Sequence, residues 1–225
     1  MDVVFLDVDG TLLDFHQNAQ WAIAQCAAHQ GLRLPDSFMP AFHRINNALW
    51  YALEKGELSL SRLHEVRFQK IFESLHLSGD AARFEDDFVA LLRESCIPVE
   101  GALSLVKELS DIAVVCVASN APRHQQERRM TLAGMAPYIS RYFVSEAIGA
   151  AKPSPAFFAY CQHAFPDIAP DRMCMIGDSL HADMEGAHLA GMHTVWFTSP
   201  LPAVLPESVD WATDRLSDIP PLLRK

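Results

Sequence analysis

An α/β fold on a parallel sheet, interrupted by an inserted helical bundle, is predicted by three observations in this 225-residue chain. Short apolar runs alternate with helical stretches at its start and through its second half. Between them, residues 17–97 carry apolar side chains at helical spacing only. Several of the apolar runs also stop abruptly at acids or small polar residues, where open α/β sheets bind ligands.

Residues 3–6, Val-Val-Phe-Leu, are the first strand. Asp7, Val8, Asp9, Gly10 and Thr11 follow at once. Side chains alternate across a strand, so if the strand continues Asp7 and Asp9 share one side, with Val8 directed into the protein. Such a pair can divide the work of nucleophile and proton carrier, or grip a divalent cation. In the insertion, Trp21, Ile23, Ala24, Ala27 and Ala28 trace one helix, and Phe42, Ile45, Leu49, Trp50 and Leu53 a second. Ser59 or Ser61 caps a third through Leu63, Val66, Phe68, Ile71, Phe72 and Leu75, and residues 81–94 form a fourth. From Pro98 onward, strands are predicted at 112–118, 141–145, 173–176 and 193–198, with helices at 101–109, 123–133, 155–165 and 182–189. Continuous apolar strands are those covered on both faces. Strand–helix repetition implies right-handed crossovers in a parallel sheet. The expectation is a Rossmann-like core of residues 1–15 and 98–225, with residues 16–97 as a helical cap.

Half the residues are hydrophobic and the net charge is -10. A full core is therefore available, and a nucleic-acid polymer is an unsuitable partner because it needs a basic surface. No stretch is apolar enough over the length needed to span a membrane. Asp2 and Asp7 interrupt any signal-peptide core. Cys26, Cys96, Cys116, Cys161 and Cys174 are odd in number, contain no Cys-x-x-Cys and sit mostly among apolar neighbours. The expectation is a cytoplasmic protein with reduced thiols.

Polar residues close the other strands too. Ser119 and Asn120 end the second, Lys152 with Pro153-Ser154-Pro155 opens a later helix, and Gly177-Asp178-Ser179 ends the fourth, with Asp183 beyond. Each alone has an ordinary reading as turn, cap or solvated side chain. In a parallel sheet they converge on one edge. His181 reads as a surface histidine, His188 and His193 have no partner spacing that suggests zinc, and Asp14 reads as a hinge or cap residue.

In order and in strand context, Asp-Val-Asp-Gly-Thr, Val-Ala-Ser-Asn, Lys152 followed by Pro-x-Pro, and Gly-Asp-Ser-x-x-x-Asp resemble the four motifs of the haloacid dehalogenase superfamily, in its phosphatase branch. The insertion resembles that superfamily's type-1 cap. The resemblance implies a magnesium-dependent phosphomonoester hydrolase acting on a small phosphorylated metabolite. Asp7 would be the nucleophile, passing through an aspartyl-phosphate, and Asp9 the proton carrier. Magnesium would take the Asp7 and Asp178 carboxylates and the Asp9 backbone carbonyl. Ser119 and the Asn120 backbone N–H would hold phosphoryl oxygens, and Lys152 would neutralise charge. Asp183 would hold metal-bound water or orient Lys152. Asp9 favours a phosphatase over a dehalogenase, since a halide leaves without a proton.

Asn46-Asn47-Ala48-Leu49-Trp50, Gly56, Leu60, Arg67-Phe68 and Cys96-x-Pro98-x-x-Gly101-Ala102 are also similar to bacterial pyrimidine 5′-nucleotidases of the YjjG type. That likeness implies nucleoside monophosphates as substrates. The chain departs from that group at Gly10, where Glu is frequent. Trp50 or Phe42 is a candidate to stack on a base and Arg67 or Asn46 to contact its polar edge, although aromatics at helical spacing commonly form core. A phosphatase for phosphoglycolate or a sugar phosphate is the alternative, and a non-catalytic phosphate-binding protein the reading from another class.

Overall fold

The computed structural model describes residues 1–224. The chain divides into two compact units: Met1–Phe15 together with the chain from Cys96 onward, and His16–Ser95.

The first unit is an α/β layer structure. Six parallel strands lie in the order β3-β2-β1-β4-β5-β6: β1 Val3–Leu6, β2 Val114–Ser119, β3 Arg141–Val144, β4 Met173–Gly177, β5 His193–Phe197 and β6 Trp211–Thr213. β1 is central, with Val3 in register with Val114 on one side and Met173 on the other. Alternation along the strands divides the core between two faces. Val4, Leu6, Val115, Val117, Cys174 and Ile176 belong to one apolar cluster. Val3, Phe5, Cys116, Ala118, Met173 and Met175 belong to the other. This is why the strands read as unbroken apolar runs rather than alternating ones.

The predicted strands are present with shifted ends, and β6 is an addition. Three residues, Trp-Ala-Thr, are too short to show a period. They become a strand by pairing with β5, Val195 opposite Trp211. Helices α5 Ala102–Ser110, α6 Arg123–Leu132, α7 Ser145–Ile148, α8 Pro155–His163, α9 Gly186–Leu189 and α10 Ile219–Leu223 fill the connections. The helix expected at 182–189 begins earlier, as a π-helix over Leu180–Glu185 that continues into α9. Where the first strand's loop meets the later chain, Leu13 bridges Pro98, and the Asp14 N–H donates to the Ile97 carbonyl.

The second unit contains α1 Phe15–Gln30 from His16 onward, α2 Phe38–Glu54, α3 Leu60–Ser74 and α4 Ala81–Glu94. Ser59, not Ser61, caps α3, accepting from the Arg62 N–H, and Asp80 caps α4 through Arg83. Phe38, Phe42, Phe68, Phe72, Phe84 and Phe88 interlock as its core, the Phe68 and Phe84 centroids 4.7 Å apart. Offset and edge contacts at this range add to simple area burial.

Two sequence expectations fail here. Phe42 is fully buried in this core, so it presents no face to a base. Arg67 and Asn46 are buried as well. Arg67 donates to Glu85 through Nε and Nη2 and to Asn46 Oδ1 through Nη1. Its guanidinium also lies over the Phe88 ring. Their polarity satisfies each other inside the bundle, which is the other environment in which such residues occur. Trp50 is half-buried.

Candidate active site

Of the sequence-predicted site residues, Asp7, Asp9, Ser119, Asn120 and Asp178 lie at the carboxyl ends of strands or in the loops that follow, Lys152 lies between α7 and α8, and Asp183 lies in the π-helix after β4. Asp7 follows β1 directly and its N–H donates to the Ile176 carbonyl of β4. Asp178 follows β4. Gly10 sits at φ +95°, and a Cβ there would fall 2.3 Å from Asp178 Oδ2. Glycine is thus required twice, by the backbone angle and by the carboxylate beside it. At the end of β4, a Cβ on Gly177 would fall 2.1 Å from Asp183 Oδ2. The π-helix turns Asp183 back onto this strand end. There Oδ2 accepts from the Ser179 N–H at 3.1 Å, while Ser179 Oγ accepts from Ala182 N. π-Turns recur at functional sites because they re-aim one side chain.

Lys152 is 2 % exposed. Its Nζ donates to Asp7 Oδ1 at 2.6 Å, Asp183 Oδ1 at 2.6 Å and the Ala118 carbonyl at 2.8 Å. All three ammonium donors are therefore used. The backbone of Lys152 is fixed by Asn120, whose Oδ1 accepts from Lys152 N and whose Nδ2 donates to Lys152 O. The Asn120 side chain therefore builds the lysine loop, a role distinct from the phosphate contact expected of its N–H.

Asp7, Asp178 and Asp183 each offer one carboxylate oxygen within 4.8 Å of the others. Three carboxylates thus face one ammonium. Burial pushes Asp7 well above the usual carboxylate range, against the pull of Lys152 and reinforced by Asp183 and Asp178. Asp178 is open to solvent on one side, yet protein surrounds most of its carboxyl. That desolvation, with the Asp183 charge, raises it to about 7. Burial alone would lower Lys152, but Asp183 and Asp7 outweigh it and hold its pKa above the ordinary lysine value. Such a cluster has a deficit of positive charge and only oxygen donors. It fits a hard divalent cation, with Asp7 and Asp178 as the most direct ligands because Lys152 and Ser179 N–H occupy both oxygens of Asp183. Thr11 Oγ1 donates to Asp178 Oδ1 at 3.3 Å. A cleft of about 270 Å³ lined by Gly10, Asp178, Phe197, Thr198, Ser199 and Asp214 opens beside it.

Asp9 stands apart from this cluster. Oδ1 accepts from Arg129 Nη1 at 2.5 Å and Oδ2 from Gln126 Nε2 at 2.8 Å. Gln126 Nε2 also donates to Ser119 Oγ at 3.0 Å. Sequence reading passed over Gln126 and Arg129. Their signal was present, since α6 reads Arg-His-Gln-Gln-Glu-Arg-Arg-Met-Thr-Leu, with scarcely an apolar residue to bury. A helix packed in a core with no apolar stripe must turn polar side chains inward. His181, read as a surface histidine, is half-buried and meets Glu185 at 2.7 Å. All five cysteines are free, and burial pushes the Cys26 and Cys116 thiols up to about 12.

A parallel sheet whose strand ends gather a buried lysine and three carboxylates has the form of an α/β enzyme site able to hold a hard cation. Residues 1–191 match the haloacid dehalogenase-like hydrolase family, and the chain belongs to it. The chain is similar to the Bacillus subtilis protein YfnB, 29% identical over 92% of this chain and 88% of that one. A crystal structure of YfnB bound to magnesium superposes with a TM-score of 0.92 at 26% identity, covering 100% and 99% of the two chains. Two pyrimidine 5′-nucleotidases are also similar. PynA of Streptococcus pneumoniae is 27% identical over 86% of this chain and 82% of its own. YjjG of Escherichia coli is 24% identical over 100% and 98%. An L-2-haloacid dehalogenase from Xanthobacter autotrophicus shares the fold, with a TM-score of 0.77 at 16% identity over 100% and 98%.

Proposed function

We propose that the chain is a magnesium-dependent phosphomonoester hydrolase that works through an aspartyl-phosphate on Asp7, and that its substrates are pyrimidine nucleoside 5′-monophosphates. The observation that carries the chemistry is the close set of Asp7, Asp178 and Asp183 around the Lys152 ammonium. Magnesium on Asp7, Asp178 and the Asp9 carbonyl would supply the positive charge that lets a carboxylate approach a phosphate dianion. Lys152 holds the Asp7 oxygen it bonds, so the other oxygen is directed at phosphorus. Ser119 and the Asn120 N–H grip the phosphoryl oxygens, and Asp183 fixes Lys152. As the Asp7–phosphorus bond forms and the ester bond breaks, Asp9 gives its proton to the departing oxygen. It then takes one from the water that cleaves the aspartyl-phosphate. Dehalogenation has no use for that proton, and the paired Asp9 favours the phosphatase.

Pyrimidine nucleotides are supported by PynA and YjjG, both aligned over most of their length. The unit His16–Ser95 lies between the two segments of the α/β unit in sequence, and we assign residues 16–97 as the cap domain that selects the substrate. The test is phosphate release by the full chain with magnesium across a panel of pyrimidine and purine monophosphates, phosphoglycolate and sugar phosphates. The expected result is preference for pyrimidine monophosphates and loss of turnover on chelation. Equal rates across the panel would leave a phosphatase of broad range. No release with any divalent metal would overturn the enzyme reading.

A further inference from the structure

The geometry points to Arg129 and Gln126 as positioning residues for the proton carrier, a unit that aims Asp9 and Ser119 together; this rests on the reading of Asp9 above. Both side chains are completely buried. A buried guanidinium is costly unless its charge is met, and here Asp9 meets it. The network also fixes the orientation of the amide. Gln126 Oε1 accepts from Arg129 Nη1 at 3.3 Å, so Nε2 is the atom turned to Asp9 and Ser119.

Two consequences follow. Ser119 Oγ accepts from Gln126 Nε2 and from the Ala121 N–H at 3.1 Å. A hydroxyl has two acceptor sites and one donor. With both acceptor sites taken, its single O–H is reserved for a phosphoryl oxygen. Asp9, two residues from Asp7, would otherwise be drawn toward a cation bound by Asp7 and Asp178. Arg129 and Gln126 instead hold both its oxygens on the α6 side, where one can serve the leaving group. As the proton leaves, charge grows on Asp9 beside the guanidinium, an interaction that strengthens along the reaction.

The test uses the full chain with magnesium. Arg129→Met and Gln126→Leu are made alone and on Asp9→Asn. Each is assayed on an alkyl phosphate, whose leaving oxygen needs a proton, and on nitrophenyl phosphate, whose leaving group scarcely does. The nitrophenolate burst reads the first bond cleavage. The expected result for Arg129→Met is a kcat on the alkyl ester lower by about 30-fold, with KM and burst rate within about threefold. On Asp9→Asn it adds less than about threefold to the burst, since a residue acting through Asp9 has nothing left to act on. For Arg129→Met, an alkyl-ester loss below about tenfold, or a burst lowered about tenfold or more in the Asp9→Asn background, overturns the proposal. Gln126→Leu, which also releases Ser119 Oγ, is expected to lower the burst in the Asp9→Asn background as well, and an unchanged burst there overturns the Ser119 half of the proposal. If Arg129→Met fails to fold by circular dichroism, Arg129→Gln is judged by the Arg129→Met limits. Wild-type alkyl turnover in Asp9→Asn would overturn the reading of Asp9 instead, so the two failures are distinguishable.

Discussion

In the helical unit, Arg67 meets Glu85 through two nitrogens while Asn46 and His64 complete the group. In the α/β unit, Lys152 meets Asp7 and Asp183, with Asp178 beside them. Both are ionic and both hold a buried cation, with Asp178 alone among the carboxylates reaching solvent, but their charge counts differ. One guanidinium faces one carboxylate in the first, and an aromatic wall closes it. One ammonium faces three carboxylates in the second, at the end of a sheet. A buried pair that neutralises itself is architecture. A set with more carboxylates than cations fits an arriving cation, the role proposed for it above.

The comparison breaks most easily at Asp7. Asp7→Asn is expected to lower turnover by about 10⁴-fold or more while the fold persists, because one uncompensated charge is removed. Steady-state phosphate release with a thermal melt checks both halves. Arg67→Met should do the reverse. Leaving Glu85 buried without its partner costs about 3–5 kcal/mol of stability, read by denaturant unfolding, while magnesium affinity by calorimetry stays unchanged.

Gly177→Ala sharpens the contrast from the backbone side. The new methyl would displace Asp183 and loosen Lys152, and turnover should fall about 10²-fold, with little change in nucleotide KM. The smallest effect is pH-dependent. Asp178 holds its proton up to about pH 7 in the folded chain, against an ordinary 3.8. The folded state thus binds more protons, and the stability this gives is present at low pH and lost as pH rises through about 7. Without metal, the melting temperature relative to Asp178→Asn should fall by about 2–4 °C from pH 5 to pH 8. Magnesium should restore it at pH 8.

The contrast also explains what the sequence made legible. Asp7, Asp178 and Ser119 stand at the ends of apolar runs, where alternation and chain direction dictate their exposure to one edge, so their convergence followed from the strand pattern. Gln126 and Arg129 were not found because a Gln or Arg on a helix is ordinarily solvated. Only the absence of an apolar stripe on α6 betrays them. Arg67 and Asn46 misled in the opposite sense. Polar residues among aromatics resemble a binding surface until the partner, Glu85, eighteen residues away on another helix, closes the group. β6 was invisible because three residues carry no period and its strand character comes from β5.

The central claim is that the unbalanced cluster makes Asp7 a nucleophile toward phosphorus. The direct measurement is rapid acid quenching of Asp9→Asn during reaction with nitrophenyl phosphate and magnesium, followed by peptide mass spectrometry. A phosphoryl group on Asp7, absent without magnesium and absent from Asp7→Asn, is the predicted result. Turnover with Asp7 unmodified, or with the phosphoryl group on another residue, would contradict it.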